Sequence, residues 1–409
     1  MGKLIVKNIG MLATPEGRTA RRGAQQGQIT VLQNAYVLME DGVIAEVGTG
    51  APPETDAQIV DAGGALVTPG LVDAHTHLVF GGWRQNELGL KLHGATYLDI
   101  LSMGGGILST VNATRAAAEE ELFDKAKGAL DEMLSLGVTT AEAKSGYGLD
   151  LENELKQLRV VRRLNEAHPM DLISTFLGAH AVPKEYKQDR EAYIRLLCDE
   201  VIPAVAGENL AEFCDVFCET GVFSAEESRV ILETGKKWGL IPKIHADEID
   251  PIGGSQLTET VGAISAEHLI VCPPAGIAAM AKAGTVACLL PATSFYLGST
   301  FAPARSMIEA GVAVAMASDF NPGSCPSLNL QLVMNLGCLK YRLTPEEVLT
   351  AVTLNGAAAI NRAEVLGSLE PGKQGDLVIW DAEDLNYICY RMGSNLVKAV
   401  VKKGRLLGA

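Results

Sequence analysis

Leu71-Val72-Asp73-Ala74-His75-Thr76-His77 is the stretch on which the reading of this chain turns. Two apolar residues begin a buried-strand pattern directly after the chain breaker Pro69-Gly70. Side chains on a strand alternate faces, so His75 and His77 project the same way, one repeat apart. Two neutral imidazoles held parallel and close make a chelating pair for a borderline metal such as zinc. A bare His-x-His fits two unrelated histidines in a turn equally well. What decides between the two is whether other strand ends supply further ligands.

Working outward, Leu71–His77 is the first of eight apolar runs. The others are Gly137–Ala143, Leu172–Gly178, Phe213–Cys218, Ile241–His245, Ala263–His268, Thr285–Leu290 and Ala313–Ser318. Helical patterns at Ala117–Leu136, Leu151–Ala167, Asp189–Ala206, Ala225–Lys237, Gly276–Lys282 and Ala302–Glu309 separate most of them. Two more, Ser327–Lys340 and Pro345–Asn361, follow the eighth. Eight such units within about 290 residues predict an α/β protein with a closed (β/α)8 barrel. An open doubly wound sheet is the alternative, and it leaves the residues at the strand ends unexplained.

The flanks read differently. Leu4–Val6, Ala35–Met39, Val43–Val47 and Gln58–Asp61 are short strand runs, with Asp41-Gly42 a hairpin signal. Asp376–Trp380 and Leu396–Gly404 repeat that texture near the other end. Neither set makes a stable sheet alone, so the two termini are expected to meet in one small β-sandwich. That divides the chain into a composite sandwich, 1–68 with 365–409, and a barrel, 69–364.

Active residues of such barrels gather at the C-terminal strand ends. Read in turn, those ends carry His75 and His77, Lys144, His180, Glu219, His245 with Glu248, His268 and, on the eighth, Asp319. Only the seventh, ending near Pro291, offers nothing ionisable. Five of the seven histidines fall at these ends, which chance would not arrange. His75, His77, His245 and Asp319 together match the ligand set of one Zn²⁺ or Fe ion per chain with a position left open. Such an ion makes water nucleophilic near neutral pH and polarises a carbonyl. Asp319 is placed to accept the water's proton, and Glu248 to pass one to a leaving nitrogen.

Composition narrows the classes. A net charge of −15 over 409 residues argues against a nucleic-acid surface. No run is long and apolar enough to span a bilayer, and the first residues lack a signal peptide's apolar stretch, so a cytoplasmic enzyme with a small-molecule substrate is expected. Eight scattered cysteines without a Cys-x-x-Cys pair read as reduced core thiols. Gly104-Gly105-Gly106 lacks the following Lys-Ser/Thr of a phosphate loop and reads as a lid or turn.

His75-Thr76-His77, His245 and Ser318-Asp319-Phe320-Asn321 resemble the amidohydrolase superfamily. Within it, four longer stretches resemble the imidazolonepropionase family of histidine degradation: Ala143-Lys144-Ser145-Gly146-Tyr147-Gly148-Leu149, Thr175 to Pro183, His245-Ala246-Asp247-Glu248, and Ser318 to Ser324. The resemblance implies hydrolysis of the ring amide of 4-imidazolone-5-propanoate to N-formimino-L-glutamate. It implies one zinc or iron ion on His75, His77, His245 and Asp319, and a homodimer. Arg84, Tyr147, His180, Glu248, Asn321, Gly323 and Ser324 match substrate positions, and His268 a histidine beside the reacting carbonyl. Residue chemistry agrees at Arg84, whose guanidinium can grip a carboxylate bidentately. Rival readings stay open. Glu219 could hold a second metal, as in hydantoinase- or dihydroorotase-like enzymes, and a nucleobase deaminase uses a similar set. A non-catalytic scaffold would be expected to have a broken set, and this one is complete.

Overall fold

The computed structural model describes residues 2–94 and 105–407. At its centre are eight parallel strands: β1 (Leu71–Asp73), β2 (Val138–Lys144), β3 (Asp171–Ala179), β4 (Phe213–Cys218), β5 (Ile241–Ala246), β6 (Ser265–His268), β7 (Val286–Leu289) and β8 (Ala313–Met316). They hydrogen-bond in sequence order. The ring closes beyond the regular ends of β1 and β8. Thr76 bridges Phe320 in parallel, Asp319 N donates to His75 O at 3.0 Å, and His77 N donates to Phe320 O at 2.9 Å. The fold is therefore a (β/α)8 barrel, and its closing seam is the backbone of expected ligands.

Several elements differ from their expected form for visible reasons. Regular pairing in β1 stops at Asp73, whose Oδ1 accepts from Ser318 N at 2.9 Å in place of a ladder bond. The helix expected over Asp189–Ala206 is Arg190–Leu196, a π-helical turn Leu197–Val201 and Ile202–Gly207. Pro203 cannot donate to the turn before it, and the π turn absorbs the missing bond. Pro345–Asn361 splits into Pro345–Ala351 and Leu354–Ala359 at Thr353. Among the described residues, five α-helices had no expected counterpart: Glu87–Leu92 and Ile107–Ala116 after β1, Gly254–Val261 after β5, Pro291–Leu297 after β7 and Leu385–Tyr390 near the C-terminus.

The termini build the second, smaller β domain. Lys3–Thr14 pairs with Thr30–Glu40 on one side; on the other its first half meets Gln58–Asp61 and its second half Leu66–Pro69. Leu377–Trp380 joins the two ends of the chain by pairing with Leu66–Pro69. The sheet curls back on itself. Gly375 N donates to Gly42 O at 2.8 Å and Gly404 N to Gly375 O at 2.9 Å, bringing opposite margins together around Val6, Leu12, Val37, Ile44, Leu377 and Val401. This domain sits at the N-terminal ends of the barrel strands. Buried Lys402 joins Asp171, the first residue of β3, at 2.8 Å and Asp376 at 2.6 Å. The opposite rim is left to chemistry.

Candidate active site

At that rim the imidazoles of His75, His77, His245, His180 and His268 crowd one space. Ring centres of His75 and His245 lie 4.6 Å apart, and those of His245 and His268 5.3 Å. One donor atom each from His75, His77 and His245 lie within 4.8 Å of one another, as do donors of His75, His268 and Asp319. Asp319 Oδ1 is 3.4 Å from His75 Nε2 and 3.5 Å from His77 Nε2. His75 Nε2, His245 Nε2 and Asp319 Oδ1 are buried without a hydrogen bond. Buried polar atoms are normally partnered. Orphans that converge from three strand ends fit a cation, and these residues could hold one.

The protonation states suit ligation. Burial, reinforced by neighbouring basic groups, holds His75 and His77 well below the ordinary imidazole value, so both are neutral. Burial pushes the Asp319 carboxyl up, against the pull of His268. Outer contacts aim the rings. His75 Nδ1 lies 2.8 Å from Glu267 Oε2, and His245 Nδ1 lies 3.1 Å from Asp215 Oδ2. Burial would raise the Asp215 carboxyl, but His245 and Lys144 overcome that and hold it below its usual range. Thr293 Oγ1 donates to Asp319 Oδ2 at 2.6 Å, which leaves Oδ1 facing the histidines.

Glu248 leans over this cluster, its Oε2 3.7 Å from His268 Nε2. Burial drives its carboxyl up to about 7, opposed by His245, and drives His268 down to about 4. His268 and Asp319 both sit in left-handed backbone, φ 69° and 55°. Such conformations concentrate where a site dictates side-chain direction. Glu219 points elsewhere. Its two oxygens accept from Thr220 N at 2.7 Å, Ile249 N at 2.9 Å and Asp250 N at 3.0 Å, so it anchors the loop carrying Glu248.

Around the rim, His180 stacks on His77 at 4.9 Å and donates from Nδ1 to Gly146 O at 3.1 Å. Gly146 has φ 111°, and a Cβ there would come within 2.9 Å of that same nitrogen, so only glycine fits. Burial pushes His180 down to about 3. Tyr147, 3% exposed, faces both histidines at 5.8 and 5.3 Å. Asn321 spends its side chain on its own loop, accepting from Gly323 N and Ser324 N at 2.8 Å each and donating to Asp319 O at 2.7 Å. Arg84 lies over that loop, where a Cβ on Gly323 would meet its Nη1 at 2.1 Å. Glu87 takes Arg84 bidentately at 3.0 Å and also accepts from Gly106 N at 2.7 Å. Gly106 is thereby an anchored helix start; Gly104 of the expected lid lies outside the described residues.

The site contains its expected members together, Arg84, Tyr147, His180, Asn321, Gly323 and Ser324 on the rim and the metal-type donors below. Compared with known proteins, residues 218–407 match the model of the Amidohydrolase family. The chain is 50% identical over 414 residues to an imidazolonepropionase of Alkaliphilus metalliredigens, covering 100% of this chain and 98% of that one. It is 52% identical over 413 residues to an imidazolonepropionase of Brevibacillus brevis, covering 99% and 97%. The chain belongs to the imidazolonepropionase family.

Solved structures extend the likeness of fold beyond imidazolonepropionases. A zinc- and atraton-bound mutant of an atrazine chlorohydrolase from Arthrobacter aurescens superposes with TM-score 0.75 at 16% identity, covering 99% of this chain and 95% of that one. A zinc-bound adenosine deaminase from Xanthomonas campestris gives 0.71 at 20%, covering 99% and 93%. Membership of the imidazolonepropionase family makes this chain a hydrolase. Among the described residues, no helix is long and apolar enough to cross a membrane. Reading the sequence missed Glu142, Asp215, Lys243, Glu267 and Thr293. It also placed Lys144 at the rim, whereas its ammonium is fully buried below, 2.7 Å from Asp215. Spacing held a clue, since Lys243 stands two residues before His245 on one strand face.

Proposed function

We propose that this enzyme hydrolyses the ring amide C–N bond of 4-imidazolone-5-propanoate to N-formimino-L-glutamate, a step of histidine degradation. The observation that carries the reading is identity of about half over the whole chain to relatives named for that activity. The substrate is a small molecule, and the enzyme is read as a cytoplasmic homodimer.

One Zn²⁺ or Fe ion per chain, held by His75, His77, His245 and Asp319, would make a water nucleophilic near neutral pH and polarise the ring carbonyl. The chain's own groups divide the remaining work. Asp319, steadied by Thr293 on Oδ2 and with Oδ1 toward the ion position, accepts the water's proton on its carboxylate. Glu248, whose carboxyl titrates near neutrality, delivers a proton to the departing ring nitrogen as the C–N bond breaks. His268 stands beside the carbonyl oxygen and donates to it as charge develops. Arg84 holds the propionate, with Tyr147 and His180 along the ring and the loop of Asn321, Gly323 and Ser324 closing the pocket.

The test is incubation of ion-loaded protein with fresh imidazolone propionate and identification of the product by mass. Formiminoglutamate supports the proposal. Release of ammonia would point instead to a deaminase.

A further inference from the structure

Beneath the ligand histidines the barrel interior holds charge at positions where such barrels are mostly filled by branched aliphatics. Glu142 and Lys144 share one face of β2; Asp215 stands on β4, Lys243 on β5 and Glu267 on β6. All five side chains are fully buried. Their charged contacts follow one another, with Thr175 donating to Glu142 Oε1 and Ser265 to Glu267 Oε1 at the sides. Starting from His75, Nδ1 meets Glu267 Oε2 at 2.8 Å, and Glu267 Oε1 lies 3.4 Å from Lys243 Nζ. Lys243 Nζ lies 2.9 Å from Glu142 Oε1, and Glu142 Oε2 lies 2.9 Å from Lys144 Nζ. Lys144 Nζ lies 2.7 Å from Asp215 Oδ2, the oxygen that is 3.1 Å from His245 Nδ1. Charge alternates at every step, and the file begins and ends on two residues assigned to the ion.

We infer that this seven-residue chain, centred on Glu142, is one positioning device that sets the tautomer and aim of His75 and His245 together. The inference rests on the ion site proposed above. A carboxylate beside Nδ1 favours the proton on that nitrogen and so turns the Nε2 lone pair toward the ion. It acts through a hydrogen bond at His75 and through charge at 3.1 Å, without hydrogen-bond geometry, at His245. Neither carboxylate stands alone, because each is neutralised by a lysine, and both lysines share Glu142. Removing any one member leaves a neighbour buried without its counter-charge, so the members depend on one another. At ordinary charges, three carboxylates against two ammonium groups leave one net negative charge below the ligands, which favours a cation above them. Stability alone does not account for the arrangement, since buried ion pairs are often replaceable by packed apolar side chains without loss.

The test separates continuity from charge. Glu142→Gln/Lys243→Met removes one charge of each sign and cuts the file at its middle, leaving both carboxylates on their histidines. Asp215→Asn removes an end contact instead. Parent, each variant and the combination are stripped of metal, then titrated with Co²⁺ against a chromophoric chelator, with visible spectra and melting of the ion-free form recorded. Outer partners of metal-bound histidines typically contribute 10- to 100-fold in affinity, so Asp215→Asn should weaken Co²⁺ by about that factor. The cut file should weaken it by roughly 10-fold and shift the visible bands, while ion-free melting falls because Glu267 loses Lys243 as its counter-charge. Asp215→Asn should then cost less in the cut file than in the parent, because coupled sites are not additive. Where the double variant does not fold, Glu142→Gln alone is read on the same scales. Parental affinity and bands in the cut variant, or losses that simply multiply, overturn the inference. A parent that takes up no Co²⁺ removes the ion site and the inference with it.

Discussion

His245 and Arg84 are both proposed members of the same pocket but are held by unlike means. His245 rises from β5, 2% exposed, with Asp215 behind its Nδ1 and Lys144 behind Asp215. Arg84 lies in the connection after β1 with its side chain 12% exposed, held by Glu87 three residues on and seated over Gly323. Its loop is pressed home by Trp83, whose ring meets Phe80 at 5.0 Å and Phe320 at 6.0 Å. The floor of the site is thus set by strand ends and buried charge, the rim by one loop leaning on another. Floor substitutions should be close to all-or-none in chemistry, and rim substitutions graded in recognition.

The largest effect should fall on the floor. His245→Ala removes one of the four donors proposed for the ion, so the protein should fold, purify with little metal and show almost no hydrolysis. Metal analysis beside an activity assay checks this; full metal with ordinary turnover would take His245 out of the site.

Glu248 belongs to neither region fully, since it hangs from a rim loop but faces the floor. General acid–base assistance contributes roughly 10²–10⁴-fold, so Glu248→Gln should lose turnover by that order with metal content intact. An unimpaired kcat would make Glu248 a bystander. Its titration offers a second readout. Burial raises its folded pKa to about 7, so the folded ion-free protein holds that proton more tightly than the unfolded chain does. The resulting stabilisation is present at low pH and is lost as pH rises from the ordinary carboxylate range through about 7. Melting of ion-free Glu248→Gln should lack that decline.

On the rim, Arg84→Met tests recognition. A hydrogen bond to a charged group contributes about 1.5–3 kcal/mol, which is roughly 10- to 200-fold in affinity. The loss should appear mainly in KM if Arg84 holds ground state and transition state alike. An amide analogue of the propionate should already be poor with the parent and lose little more in the variant. Equal losses for acid and amide would place carboxylate recognition elsewhere.

The same floor-and-rim division decides what the sequence could reveal. Barrel and rim histidines were legible because short apolar runs alternate with helical ones and the histidines cluster where those runs end. The helix Gly254–Val261 escaped because it is eight residues long and opens on Gly253-Gly254, with no side-chain cap to announce it. The interior file escaped for another reason. Glu142, Asp215, Lys243 and Glu267 look like interruptions of apolar strands, and their meaning lies in partners far along the chain. Lys144 and Asp215, 71 residues apart, carry no local mark of their contact. Glu219 is the opposite case: its place at a strand end was legible, its target was not.

Glu219→Gln therefore gives the smallest effect and the sharpest division between floor and rim. A second metal would make Glu219 a floor residue, and its loss would cost an ion. Its geometry argues for the rim. Three backbone N–H groups occupy its oxygens, two of them from Ile249 and Asp250, directly after Glu248. Among the described residues, the donor groups able to hold an ion do not include it. Glutamine keeps the shape and one accepting oxygen, but its amide nitrogen would face an N–H that now has no acceptor. Losing a charged acceptor there weakens the loop by about 1.5–3 kcal/mol at most, and the loop is also held by its covalent attachment to β5. The metal ratio should stay at one ion per chain, while kcat falls by less than the Glu248→Gln loss because Glu248 is displaced and not removed. Two ions per chain, dropping to one in the variant, would move Glu219 to the floor and the enzyme to a two-metal mechanism.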